Sequence, residues 1–219
     1  MMSKRRFMGQ FLGWLAAGLA GYALATAPAR AEDLAPDAMI LKVSNEVLDT
    51  IKSDAAIRGG DVGKLMTLVD NKVMPNVNFQ RMTAAAVGPG WRQATPEQRQ
   101  RLQGEFKALL VRTYAGALSQ VNDMSVALKP LRAGADDKDV TVRTEVKGKS
   151  QPDPVQLDYR LEKAPGDGLG WKIYNLNVMG VWLVDTYRTQ FAQEVNAHGI
   201  DGLINLLVER NKAAAGKKG

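Results

Sequence analysis

Val140-Thr141-Val142-Arg143-Thr144-Glu145-Val146 and, shortly after it, Val155-Gln156-Leu157-Asp158-Tyr159-Arg160-Leu161 decide the fold. In the first stretch Val140, Val142, Thr144 and Val146 alternate with Thr141, Arg143 and Glu145. In the second, Val155, Leu157, Tyr159 and Leu161 alternate with Gln156, Asp158 and Arg160. A period of two with one apolar face is the pattern of half-buried antiparallel strands. Working outward, Pro165-Gly166-Asp167-Gly168 turns the chain into a third strand, Trp171 to Val178, and Gly180 ends the sheet. Upstream, Met124 to Leu131 supplies the strand that precedes the pair. The expected sheet therefore has about four strands.

On either side of this block the period is helical. Residues 36–53 open with Pro36 at a first helical position and carry Ile40, Val43, Val47, Leu48 and Ile51 on one stripe. Asp61 can cap a second helix bearing Leu65, Met66, Leu68, Val69 and Val73, which stops near Pro75. A short helix with Phe79, Met82 and Val87 ends at Gly88-Pro89-Gly90. Thr95-Pro96-Glu97-Gln98 is the clearest start: Thr95 at the N-cap, Pro96 next, and Gln98 closing a capping box. The helix it opens should run to about Gln120, with Leu102, Phe106, Leu109, Leu110, Thr113 and Ala117 on one face and an Arg101–Glu105 pair on the other. After the sheet, Leu183, Val184, Tyr187, Phe191 and Val195 share a helix. Beyond Gly199 a last helix, capped by Asp201, carries Leu203, Ile204, Leu207 and Val208. Helices, then strands, then helices spell an α+β fold: a twisted antiparallel sheet covered by helices.

The start of the chain has the layout of a signal peptide. Lys4, Arg5 and Arg6 precede the apolar run Phe7–Ala27, and Ala29-Arg30-Ala31 offers small residues where a signal peptidase cuts. The run nearly reaches the roughly 20 residues of a membrane span, but Glu32 and Asp33 follow at once, which favours cleavage after Ala31. The expected division is residues 1–31 as signal peptide and 32–219 as one domain, with 213–219 a disordered tail. Export would be by the general route or, since Arg5-Arg6 exists, by the twin-arginine one. The segment 1–31 carries four of the 29 basic residues and none of the 23 acidic ones, so the net charge falls from +6 to +2 on its removal. A nucleic-acid binder needs a concentrated basic face, and this chain has no strong one. It also has no cysteine, hence no disulfide framework and no thiol chemistry.

Catalytic sets are equally scarce. The single histidine, His198, sits beside Gly199, where it is expected to satisfy the last carbonyls of a helix. No serine lies in a nucleophile elbow. Asp136-Asp137-x-Asp139 lacks the Gly and Glu of a calcium loop, and Gly166-x-Gly168-x-Gly170 precedes no helix, so it is no phosphate loop. What the chain has in surplus is apolar surface. Val111, Tyr114 and Leu118 widen the stripe of the long helix, Gly116 lies at its edge, and Trp91 and Trp182 fall at element ends. Ordinary core packing is the plainer account of such a surplus, since a wide apolar stripe does not announce a cavity.

One set of blocks separates those readings. Phe79-x-x-Met82, then Val87-Gly88-x-x-Trp91-Arg92-x-Ala94-Thr95-Pro96-Glu97-Gln98, then Phe106-x-x-Leu109-Leu110-x-x-Thr113-Tyr114 resemble the MlaC family of periplasmic phospholipid-binding proteins, also called toluene-tolerance proteins. Trp171-Lys172-Ile173-Tyr174, Gly180-Val181, Tyr187-Arg188-x-x-Phe191 and Gly199-Ile200-Asp201-Gly202-Leu203 continue the likeness in order. The resemblance implies a non-enzymatic periplasmic carrier whose cargo is phospholipid and which needs no cofactor. Its implied partners are an outer-membrane lipoprotein complex and an inner-membrane ABC transporter with its lipid-binding hexamer, which together maintain outer-membrane lipid asymmetry. Asn78 departs from the family pattern, standing where an acidic residue is frequent. So does Met179-Gly180-Val181-Trp182, in place of Glu-Gly-Val-Ser.

On that resemblance the expected lining of an apolar pocket is Val69, Val73, Phe79, Met82, Trp91, Phe106, Leu110, Tyr114, Val142, Leu157, Tyr159, Val178, Val181, Val184 and Tyr187. Physically, a two-chain lipid exposes roughly 30 methylenes at about 0.8 kcal/mol each, so the carrier must offer a nearly dry interior. Arg81 to Arg112 holds six basic residues against two acidic ones. Within it Arg92 and Arg99 are the expected docking residues for acidic partners, with a solvated helix face the plain alternative. Two other functions stay open: a non-catalytic chaperone or adaptor of the export pathway, and a small cone-shaped α+β enzyme. The enzyme should carry an Asp/His/Tyr set that the chain does not display.

Overall fold

The computed structural model describes residues 33–118, 121, 123–134, 136–148 and 153–216. The expected signal peptide, residues 1–31, lies outside them. Among the described residues three helices come first: α1 (Pro36–Ser53), α2 (Ala55–Arg58) and α3 (Val62–Leu68). Asp54 and Asp61 cap α2 and α3 through their carboxylates. The chain beyond α3 widens into a π turn, Val69–Val73, and then tightens into a 3-10 turn, Met74–Asn76. Pro75 accounts for the break: it has no N–H to donate, and its ring crowds the carbonyl four residues back.

Helix α4 (Phe79–Val87) is capped by Asn78, whose Oδ1 accepts from the Arg81 N–H at 2.9 Å. A 3-10 turn, Gly88–Arg92, leads to α5 (Pro96–Leu118). The expected capping box is present: Gln98 N–H donates to Thr95 Oγ1 at 3.2 Å and Thr95 N–H to Gln98 Oε1 at 2.9 Å. Gly90 is buried in the 3-10 turn, where a Cβ would come within 2.8 Å of Val195.

The sheet is an antiparallel meander in sequence order: β1 (Ser125–Leu128), β2 (Asp139–Lys147), β3 (Val155–Lys163), β4 (Trp171–Val178) and β5 (Val181–Trp182). Among the described residues it has five strands against the expected four. Gly180 does not end the sheet but turns it: Met179 and Gly180 both have positive φ, 52° and 90°, the geometry of a two-residue hairpin. β4 carries a bulge, since Arg160 pairs with Asn175 and Leu161 with Ile173, leaving Tyr174 as the extra residue. Val77 bridges to Ile173 at the same place, and Asn78 N–H donates to the Ile173 carbonyl at 2.8 Å.

The final helix, α6 (Leu183–Gly216), is broken at Gly199, where φ is 71°. Its end corrects the expected tail: Ala213–Gly216 prolong the helix, as an alanine run favours, while 217–219 lie outside the described residues. Asp201 is not a cap but lies within the helix, accepting from Gln98 Nε2 at 2.8 Å. His198 pairs with Glu194 across one turn, at 2.7 Å, rather than with helix-end carbonyls. Among the described residues no Arg101–Glu105 ion pair forms. The Glu105 carboxylate instead accepts from Asn211 Nδ2 at 2.7 Å.

Among the described residues three packed clusters hold these elements together. One joins α4, the first half of α5 and α6 through Phe79, Met82, Phe106, Phe191, Leu203 and Leu207. A second joins the end of α1, α2, α3 and the later part of α5 through Ile51, Ile57, Leu65 and Val111. The third lays the start of α1 on the sheet, with Met39, Ile40 and Val43 against Val140, Val142, Leu161 and Ile173. No helix among the described residues is long and apolar enough to cross a membrane.

Candidate functional site

Between the three clusters lies a cavity of about 450 Å³, within the range of small-ligand sites. Among the described residues its lining is apolar apart from Ser44, Lys107, Tyr114 and Tyr159. The walls come from α1, the π turn, α4, α5 and one face of the sheet. Many of these side chains, such as Val69, Leu110 and Leu157, are only half-buried; the surface they leave uncovered borders the cavity.

Nine of the fifteen expected lining residues border it: Val69, Val73, Phe79, Met82, Leu110, Tyr114, Leu157, Tyr159 and Val178. The other six lie elsewhere. Phe106 is wholly buried in the α4–α5–α6 cluster, edge-on to Tyr187 and Phe191 at centroid distances of 5.0 and 5.2 Å. Val184 belongs to the same cluster, and Trp91 and Tyr187 pack on its margin. Val142 is 1% exposed beneath α1. Val181 is 53% exposed in the short β5.

The sequence reading missed the contribution of α1. Ile40, Val43, Val47, Leu48 and Ile51, seen only as a helical stripe, form one wall. It also missed Ile173 and Leu176. Strict alternation would put Ile173, Asn175 and Asn177 on one face, but the bulge at Tyr174 shifts the phase. Ile173, Leu176 and Val178 therefore border the cavity, while Asn175 and Asn177 turn away. Asn175 Oδ1 accepts from the Val184 N–H at 3.3 Å and Asn177 Oδ1 from the Gly180 N–H at 2.8 Å.

Ionisable groups follow the same division. Burial pushes the Tyr159 phenol up, with Thr144 and Ser44 pulling partly the other way. Burial also raises Tyr114, and nearby Tyr187 adds to the effect. Away from the cavity, burial and the Asp139 carboxylate, which accepts from the Tyr174 hydroxyl at 2.6 Å, push Tyr174 up to about 12. The Arg81 guanidinium stacks 3.5 Å over that ring and pairs with Glu162 and Asp139. Glu162 also accepts from Asn78 Nδ2 at 2.6 Å.

Three of the six basic residues of the run are engaged within the chain. Arg81 is paired as above, and Lys107 pairs with Asp70. Arg99 donates to the carbonyls of Trp91 and Arg92 at 3.1 and 3.3 Å, tying the 3-10 turn to α5. Arg92 is exposed. Among the described residues no cluster of His, Cys, Asp and Glu could hold a metal ion.

Sheet, helices and an apolar hollow between them define an α+β ligand-cavity protein. The MlaC protein family model matches residues 41–209, and the chain belongs to that family. The intermembrane phospholipid transport system binding protein MlaC of Haemophilus influenzae is 23% identical over 172 residues, covering 78% of this chain and 80% of that protein. The toluene tolerance protein ttg2D of Pseudomonas putida is 37% identical over 111 residues, 50% of this chain and 49% of that one. Among solved structures, a phospholipid-binding protein from Ralstonia solanacearum, in complex with a phospholipid, superposes with a TM-score of 0.77 at 48% identity. The match covers 82% of this chain and 98% of that one.

Proposed function

We propose that this protein is a soluble periplasmic phospholipid carrier that takes the acyl chains of its cargo into the cavity. The observation that carries the reading is the cavity itself, about 450 Å³ with an almost entirely apolar lining. A smaller, 150 Å³ apolar cavity in an engineered protein stays dry and takes up benzene, so a hollow this size favours hydrocarbon over water. The likeness to a structure that holds a phospholipid supports the same cargo. Matching the bilayer's solvation of acyl chains requires no fuel and no covalent step in the carrier.

Delivery then runs between an outer-membrane lipoprotein complex and an inner-membrane ABC transporter with its lipid-binding hexamer, after export and cleavage behind Ala31. Arg92 is the docking residue of choice for such partners, because it is exposed while Arg99 is engaged by backbone carbonyls. Extraction of the purified protein with organic solvent, followed by mass spectrometry, tests the cargo. Near-stoichiometric phospholipid is expected. An extract without it, from protein that also takes none from vesicles, returns the chain to the chaperone or adaptor reading.

A further inference from the structure

Lys107 is the only charged side chain bordering the cavity among the described residues. It stands at one end of a stripe on α5 that continues through Leu110, Val111, Tyr114, Ala117 and Leu118, roughly 16 Å of helix. Its side chain is three-quarters buried and borders the largely apolar cavity. The ammonium reaches Asp70 Oδ1 at 2.6 Å, and the Asp70 side chain is 45% exposed. The pair thus joins cavity to solvent, and α5 to the π turn that Pro75 imposes. Such turns recur at functional positions in helices.

We propose that Lys107 is the phosphate-recognition group of this cavity, and that Asp70 is the resident anion which a lipid phosphate displaces. The proposal rests on the carrier reading and adds the chemical feature of the lipid that the protein reads. A phospholipid with its chains in the hollow must leave its phosphate where the apolar lining meets water. Among the described residues Lys107 is the one cation of the lining, on a flexible stem that can swing from carboxylate to phosphate. Both are oxygen anions that accept charge-assisted hydrogen bonds from an ammonium. Release of Asp70 also unties the π turn from α5 and frees that part of the rim to move.

The test offers delipidated protein vesicles containing equal amounts of phosphatidylglycerol and diacylglycerol with identical acyl chains, and reads the ratio of the two lipids taken up. Lys107→Met should lower that ratio about tenfold, the scale of one charge-assisted hydrogen bond. Lys107→Arg should preserve it, and Asp70→Asn, which removes the competitor, should raise it. An unchanged ratio in Lys107→Met overturns the assignment while leaving the carrier intact, as does an Asp70→Asn variant that loses the preference like Lys107→Met, since the pair is then a structural brace. Should Lys107→Met not fold, Asp70→Asn and Lys107→Arg still decide. Inorganic phosphate should depress the ratio no more than sulfate of equal ionic strength. If phosphate abolishes the preference, the ammonium reads free anions, and the lipid assignment falls. Wild-type protein that takes up neither lipid overturns the carrier reading and this one with it.

Discussion

Asn78 shows how one side chain can serve two elements. Its oxygen caps α4 through the Arg81 N–H, while its amide nitrogen donates to Glu162 on β3. An aspartate caps a helix as well as an asparagine does, but it has no hydrogen to give. At this position it would set a second carboxylate against Glu162. The departure from the family's frequent acidic residue is therefore matched by the partner it faces here. Asn78→Asp should destabilise the protein by about 1–2 kcal/mol, the loss of one hydrogen bond to a charged group, tempered by the adjoining Arg81. Adding Glu162→Gln should restore most of it. Urea unfolding of the two single variants and the double variant measures the coupling, and an Asn78→Asp variant as stable as the parent would contradict this account.

At the scale of elements, periodicity identified nearly every helix and strand but could not tell a covered face from a hollow one. Val142 and Leu157 sit on inward rows of neighbouring strands, and Thr144 pairs across to Leu157. Only the path of α1 distinguishes them: it covers Val142 and leaves Leu157 on the cavity. Along α5, Phe106 turns to α6 while Leu110, one turn on, borders the hollow. A wide apolar stripe announces both neighbours without saying which is protein. The bulge at Tyr174 was beyond reach for another reason, since nothing in Trp171-Lys172-Ile173-Tyr174 marks the skipped pairing. These placements separate two substitutions of like chemistry. Val142→Asn buries an amide in packed core and should cost stability, about 1–3 kcal/mol for the unmatched polar group, with lipid content falling only as folding fails. Leu157→Asn meets acyl chains instead and should lower bound lipid more than the melting temperature. Melting curves recorded beside lipid content would reveal the opposite ordering if the wall were misassigned.

At the scale of the whole fold, three clusters among the described residues surround a hollow where a protein of this size would ordinarily close one core. About 450 Å³, scaled from the 150 Å³ that takes a six-carbon ring, admits roughly eighteen carbon atoms. A two-chain phospholipid brings more, so on the carrier reading its chains either widen the hollow or extend out of it. On the proposal above, the Lys107–Asp70 pair and the π turn beside it are where α5 and the helical segment ahead of α4 part. Cargo that binds only the folded chain raises its stability by mass action. The hollow has a mechanical counterpart. Hydrostatic pressure favours whichever state occupies less volume, and voids eliminated on unfolding set that difference. Delipidated protein should therefore unfold at markedly lower pressure than the loaded form, with a larger volume decrease, in a tryptophan-fluorescence pressure titration. Equal volume changes for the two forms would mean that lipid does not occupy the space between the clusters, whereas the expected gap would make compressibility itself a gauge of cargo.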